Sequence, residues 1–332
     1  MVSSIFQVSI HAVFRFSGFV FTFLSFGYYS IHSRIEPNEC IEFIENPMYR
    51  EITLEPHFAR HGRQTEVPEV FRRYRLVHVH PQEPWGEERK APDLTEVWQA
   101  APILFVPGHS GSFNQSKTIA AQIYAEAGSN KISIFALDMR EDLSALSGFL
   151  LQAQSEFIND AVQHILWHYR KNVEKFKGHT PKSVLLVGHS MGGVAARGAV
   201  VAKNHIAGTI VTIITLNSPH QAISPVMSDS RMLRFYESIN QRWKSEVHTR
   251  DVIVISVAGG RRDTTIRSDL TSLNGLVDDQ NALHVYTGSI PGVWLQNDHD
   301  SIVWCGQLII MLSRTLLDLL DTTTRQFKDS KV

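Results

Sequence analysis

The chain has 332 residues, enough for one large α/β domain with a sizeable core. Lys and Arg number 32 against 33 Asp and Glu, a formal net charge of -1, so no long-range field gathers nucleic acid and none is expected as a partner. Two cysteines, Cys40 and Cys305, are too few for a disulfide framework, and whether they pair is left open at this level.

From 16 to 31 the chain reads F-S-G-F-V-F-T-F-L-S-F-G-Y-Y-S-I, a predicted hydrophobic helix. That run is short of the about 20 residues that span a bilayer, but it reaches that length if extended back to Ile10 with Arg15 snorkelling near one end. A small-x-small cleavage site is missing, since Gly27 precedes the bulky Tyr28 and Tyr29. An uncleaved membrane anchor over 1–35 is therefore preferred to a signal peptide, with a buried helix of the globular domain as the third reading. Arg15 and Arg34 nearly balance across the segment and leave its orientation undecided.

Residues 36–90 are polar, and Pro37, Pro47, Pro56, Pro68, Pro81 and Pro84 break any long helix. One alternating stretch, 73–80, predicts a strand with half-exposed histidines and no metal site. Residues 87–100 read as a charged surface loop. A buried strand is then predicted at 103–106, and further strands at 131–137, 184–187, 209–216, 252–257 and 283–287. Helices are predicted at 115–127, 150–169, after 190, at 228–243 and at 301–320. In the second of these Phe157, Ala161 and Ile165 fall at helical spacing, with His164 and His168 taken as surface residues. The main domain is placed at 36–325 and a polar tail at 326–332. Alternation of strand and helix implies a mostly parallel sheet with helices on both faces, with ligands beyond the carboxyl ends of its strands.

At 183–197 the sequence is S-V-L-L-V-G-H-S-M-G-G-V-A-A-R, a strand, a sharp turn and a helix. Such a G-x-S-x-G turn holds its serine in a strained conformation with the hydroxyl above the sheet edge, which makes Ser190 the candidate nucleophile of an α/β-hydrolase fold. A serine needs a base and a carboxylate that orients the base, following it in the order Ser, Asp or Glu, His. His299, just before the closing helix, is the candidate base; His220 lies too early and His284 inside a strand. Asp263, after the strand at 252–257, is the candidate carboxylate, with Asp269, Asp298 and Asp300 as alternatives and the last two also able to cap the closing helix. Met191 offers one N–H to an oxyanion and His109 the other, Ser110 being the alternative at that loop. Asn114-Gln115-Ser116 is a glycosylation sequon read as unmodified. No metal or organic cofactor is required.

Six segments carry a family resemblance: V-P-G-H-S-G-S at 106–112, D-L-S-A-L-S-G at 142–148, G-H-S-M-G-G-V-A-A-R at 188–197, L-N-S-P-H at 216–220, G-G-R-R-D-T at 259–264 and D-H-D-S-I-V-W-C at 298–305. Together they resemble the GPI inositol-deacylases, over roughly 36–320. The resemblance implies an esterase that removes the acyl chain from the inositol of GPI-anchored proteins, at the endoplasmic reticulum membrane with a lumenal hydrolase domain. Family members continue into a β-rich region and several membrane-spanning helices that do not follow Leu320 here, so the chain is expected to be a fragment or a short relative. The alternatives are a general lipase or phospholipase acting on another lipid ester, and a non-catalytic hydrolase-like binding module.

Overall fold

The computed structural model describes residues 2–32, 40–42, 48–52, 73–80, 98, 100–128, 130–173, 180–222 and 229–327. The chain divides into Met1–Glu39 and Cys40–Val332. The first unit is the helix α1, Val2–His32, whose Phe16, Phe19, Phe21, Phe23 and Phe26 lie exposed. Ser17, Gly18, Thr22, Ser25 and Gly27 interrupt its aromatic run, and the Thr22 hydroxyl donates to the Gly18 carbonyl at 2.8 Å. Among the described residues no helix is long and apolar enough to cross a membrane, so the span expected of this segment is not obtained.

The second unit is built on strands β1 (Met48–Ile52), β2 (Arg75–His80), β3 (Ala101–Val106), β4 (Ile132–Asp138), β5 (Leu185–His189), β6 (Thr212–Leu216), β7 (Ile253–Ala258) and β8 (Ala282–Tyr286). They form one sheet in the order β1-β2-β4-β3-β5-β6-β7-β8. Pairing is antiparallel for β1 with β2 and β2 with β4, and parallel from β4 onward. The helices are α2 (Lys117–Ala127), α3 (Gly148–Lys171), α4 (Met191–Val200), α5 (Ser230–Ser245) and α6 (Gly306–Asp318).

Strand alternation sorts the core into two layers. Leu104, Val106, Phe135, Leu137 and Leu186 face the layer that holds Phe157, Ile158 and Ile165 of α3 and Val194 of α4. Their neighbours Ile103, Phe105, Ile134, Leu185 and Val187 face the opposite layer, with Ile119 and Ile123 of α2 and Leu308, Ile309 and Leu312 of α6. Each such side chain contributes roughly 1.5–3 kcal/mol on burial, so both faces are needed to hold the sheet.

After β4 the chain crosses β3 to lay down β5, reversing its direction of travel across the sheet. A crevice opens outside the carboxyl ends of strands at such a reversal, here β3 and β5. A disulfide joins Cys40 to Cys305, and the Gly306 N–H donates to the Ile41 carbonyl at 2.8 Å.

Several expectations change. The strand at 73–80 forms as β2, but His78 and His80 are buried rather than half-exposed, His78 packing on Phe135 with ring centroids 5.2 Å apart, and burial pushes His78 down to about 3. His164 is buried too, and His168 stacks on Trp98 with ring centroids 4.5 Å apart. Trp98 itself is buried, although its surroundings read as a surface loop. The segment read as a tail starts inside a hairpin: Gln326–Phe327 pairs with Leu320–Asp321, and Phe327 joins the core. β1 escapes sequence reading because its five residues, M-Y-R-E-I, become a strand only by pairing with β2.

Candidate active site

Ser190 stands between β5 and α4 at φ 54° and ψ -127°, in the left-handed region that L-residues adopt only when the surroundings enforce it. Here the surroundings are two glycines and one hydrogen bond. A Cβ on Gly188 would lie 2.6 Å from the Gly193 Cα, and one on Gly192 would lie 2.2 Å from the Val106 carbonyl oxygen. The Ser190 N–H donates to the Leu216 carbonyl at 2.8 Å. The turn therefore packs directly on the ends of β3 and β6.

The structure brings all three candidates together. His299 Nε2 lies 3.0 Å from Ser190 Oγ, and His299 Nδ1 lies 2.9 Å from Asp263 Oδ2. Because an ionised carboxylate only accepts, Nδ1 carries the proton toward Asp263 and Nε2 is left to accept from the serine hydroxyl. Asp263 is buried, and its other oxygen, Oδ1, accepts the N–H groups of Thr265 at 2.9 Å and Ile266 at 2.7 Å. Those bonds aim the carboxylate at the imidazole. A base and an orienting acid in this geometry activate a serine for attack on a carbonyl.

The rivals lie elsewhere. Asp269 pairs with Arg267 on the surface at 2.6 Å. Asp298 accepts the N–H groups of Asp300 at 3.0 Å and Ser301 at 2.7 Å and so braces the turn around His299, while the closing helix α6 starts later, at Gly306, and is capped by neither Asp298 nor Asp300. His220 is buried with Nε2 2.9 Å from the Thr215 hydroxyl, and desolvation with the nearby Arg197 guanidinium holds it well below its ordinary pKa. His284 Nε2 meets the Thr271 hydroxyl at 2.8 Å.

Met191 begins α4, where the unpaired N–H groups and the helix dipole favour negative charge beside Ser190. At the end of β3, Gly108 lies so close that a Cβ on it would sit 2.7 Å from the Ser190 Cβ. The Ser110 N–H donates to the Asp142 carbonyl at 3.0 Å, whereas the His109 N–H makes no backbone hydrogen bond among the described turns and loops. His109 is thus the free donor of the two. Its ring is held as well: Nδ1 accepts the Ala145 N–H at 3.0 Å, and burial pushes its pKa down.

Sequence reading missed the groups that hold these loops. Asp142 accepts from Arg73 at 2.6 Å and from the Tyr74 hydroxyl at 2.5 Å, fixing the segment that carries Ala145. Asn217 and His189 contact the loop of His299. Both lie inside motifs already singled out, L-N-S-P-H and G-H-S-M-G, but nothing in spacing distinguishes a scaffold amide or imidazole from a reacting one. Among the described residues no group of three or more His, Cys, Asp or Glu is placed to hold a metal ion.

A mostly parallel sheet with a serine on the strand-to-helix turn at its reversal point, an imidazole and a buried carboxylate in line behind it, defines an α/β-hydrolase. The chain belongs to the family described as the PGAP1-like alpha/beta domain, whose model matches residues 98–319. It is 35% identical over 302 residues to a GPI inositol-deacylase of Eremothecium gossypii, covering 84% of this chain and 29% of that one. A GPI inositol-deacylase of Kluyveromyces lactis is 33% identical over 296 residues, covering 83% of this chain and 30% of that one. One of Schizosaccharomyces pombe is 36% identical over 250 residues, covering 67% of this chain and 22% of that one. The chain thus spans under a third of the length of these relatives. Among solved structures, an arylesterase matches with a TM-score of 0.48 at 12% identity, over 88% of this chain and 89% of that one.

Proposed function

We propose that the chain is a serine esterase that hydrolyses the acyl ester on the inositol of a GPI anchor. The observation that carries it is the continuous line from Asp263 through His299 to Ser190, at 2.9 and 3.0 Å. Ser190 Oγ attacks the ester carbonyl as His299 Nε2 takes its proton, while Asp263 stabilises the imidazolium. The N–H groups of Met191 and His109 receive the developing oxyanion, each worth on the order of 10²-fold or more in rate. His299 returns the proton to the leaving inositol hydroxyl, and water activated by the same imidazole then releases the fatty acid from Ser190. Likeness to relatives named GPI inositol-deacylase supports the choice of ester.

We further propose that the domain works in the lumen of the endoplasmic reticulum against a lipid surface. The Cys40–Cys305 bridge supports an oxidising compartment, since such bonds persist there and are reduced in the cytosol. The exposed aromatic side chains of α1 support contact with lipid, where amphipathic rings are favoured.

The test offers the purified chain an acyl-inositol GPI and ordinary glycerolipids in parallel. Release of fatty acid from the first, lost in Ser190→Ala, is the expected result. Equal release by that variant would sink the serine chemistry, and preference for glycerolipids would replace the substrate with that of a general lipase.

A further inference from the structure

His299, like Asp263, is carried by a loop rather than by a strand or a helix. Two side chains from distant parts of the chain bind that loop at successive peptide groups. His189 Nε2 lies 2.8 Å from the His299 carbonyl oxygen, and Asn217 Nδ2 lies 3.1 Å from the Asp298 carbonyl oxygen. The Asp298 carbonyl belongs to the peptide plane before the His299 Cα, and the His299 carbonyl to the plane after it. Holding both planes sets φ and ψ of His299 and hence the direction in which its imidazole leaves the backbone. We propose that His189 and Asn217 are positioning residues of the esterase, a two-point clamp that aims the base at Ser190.

The hydrogen-bond chemistry is one-sided. A carbonyl oxygen has no proton, so His189 must donate through Nε2–H, and its Nδ1 must accept from Gln115 Nε2, 3.2 Å away. The imidazole is therefore the neutral Nε2–H tautomer. Complete burial and the neighbouring His299 push it down to about 4, which keeps it neutral under working conditions. Gln115 lies just beyond the His109 loop, so the tie runs from the oxyanion side of the crevice through the nucleophile turn to the base loop. Asn217 is bonded at both ends as well. Its Oδ1 accepts the Gly259 N–H at 2.6 Å, ahead of Asp263, while Nδ2 reaches the base loop. It adopts φ 49°, a conformation that Asn tolerates better than most residues. Acid loop and base loop are thereby tied to each other through one side chain.

The inference rests on the esterase reading only for what His299 does. His189→Gln places an amide N–H near the position of Nε2, whereas His189→Asn reaches only as far as Nδ1 and keeps the Gln115 contact alone. Asn217→Asp keeps the acceptor for Gly259 and loses the donor to Asp298. With a short-chain p-nitrophenyl ester, His189→Asn and Asn217→Asp are expected to lower kcat about 10- to 100-fold with KM within about twofold, because a displaced base slows chemistry more than binding. His189→Gln should recover most of the loss at an unchanged melting temperature. Equal kcat for His189→Asn and the parent chain, or no advantage of Gln over Asn with both folded, overturns the clamp. Histidine ¹⁵N NMR of the full chain reads the tautomer without turnover: an Nε2–H resonance for His189, protected from exchange, supports the clamp, and an Nδ1–H resonance overturns it. Failure of the parent chain to take up a fluorophosphonate at Ser190 would instead remove the esterase reading, and the NMR result would still decide the clamp.

Discussion

The nucleophile turn and the base loop sit about a hydrogen bond apart, yet they are built on opposite principles. Around Ser190 nearly everything needed is within a few residues: Gly188, Gly192 and Gly193 clear the space, and α4 begins at Met191. Around His299 local bonds from Asp298 and Ser301 shape the turn, but the groups that aim the ring are remote. Its carboxylate comes from Asp263, its carbonyls are held by His189 and Asn217, and Asn297 beside it donates to the Cys40 sulfur at 3.3 Å from 257 residues away. A strained serine is encoded as a motif because strain is a backbone property of adjacent residues. A base that must face a serine from another strand can only be encoded as a set of remote contacts.

The largest effects test whether the two halves act as one unit. His299→Ala and Ser190→Ala are each expected to lower kcat by about 10⁶-fold, and the double variant to be no worse than either. Additive losses in steady-state kinetics would show that the two do not share a step. Asp263→Asn keeps the shape but supports the wrong tautomer, and a loss of about 10⁴-fold in kcat is expected. A loss under tenfold would mean that the loop contacts alone orient His299.

Stability separates the two regions further. Gly192→Ala brings a Cβ within 2.2 Å of the Val106 carbonyl oxygen, so the turn must give way. A destabilisation of about 3 kcal/mol or more is expected by denaturant unfolding, and a neutral result would show that the turn is not over-determined. Cys40→Ser opens a bridge across 265 residues beside the base loop, at an expected cost of roughly 2–5 kcal/mol and a fall in kcat. Loss of stability with full kcat would confine the bridge to holding the chain ends.

The smallest effect is one of pH. His78 and His189 are held neutral, at about 3 and about 4 against 6.5 unfolded. Their contribution is fully present above pH 6.5 and is lost as pH falls toward those values, because the unfolded chain then binds protons that the fold refuses. At pH 5.5 each costs about 1 kcal/mol, seen as a lower melting temperature than at pH 7. His189→Gln should flatten part of that slope, and an unchanged slope would place the acid sensitivity elsewhere.

Much of this molecule is written in short-range patterns. The apolar runs of β3 to β6 specify strands buried on both faces, and G-H-S-M-G specifies Ser190, because backbone strain is a property of neighbouring residues; the order Ser, Asp, His then points to His299 and narrows the acid to Asp263 and its few rivals. What the chain alone does not reveal is whatever depends on what lies beside it in space. β1 and Phe327 owe their places to pairing, and His78 and His164 owe their burial to neighbours far along the chain. Only tertiary structure joined Cys40 to Cys305, gave the Ser110 N–H to Asp142 while leaving that of His109 without a backbone partner among the described turns and loops, and set His189 and Asn217 against the base loop. A hydrogen bond needs two partners within about 3 Å, and no spacing along a polymer records which distant atoms will meet.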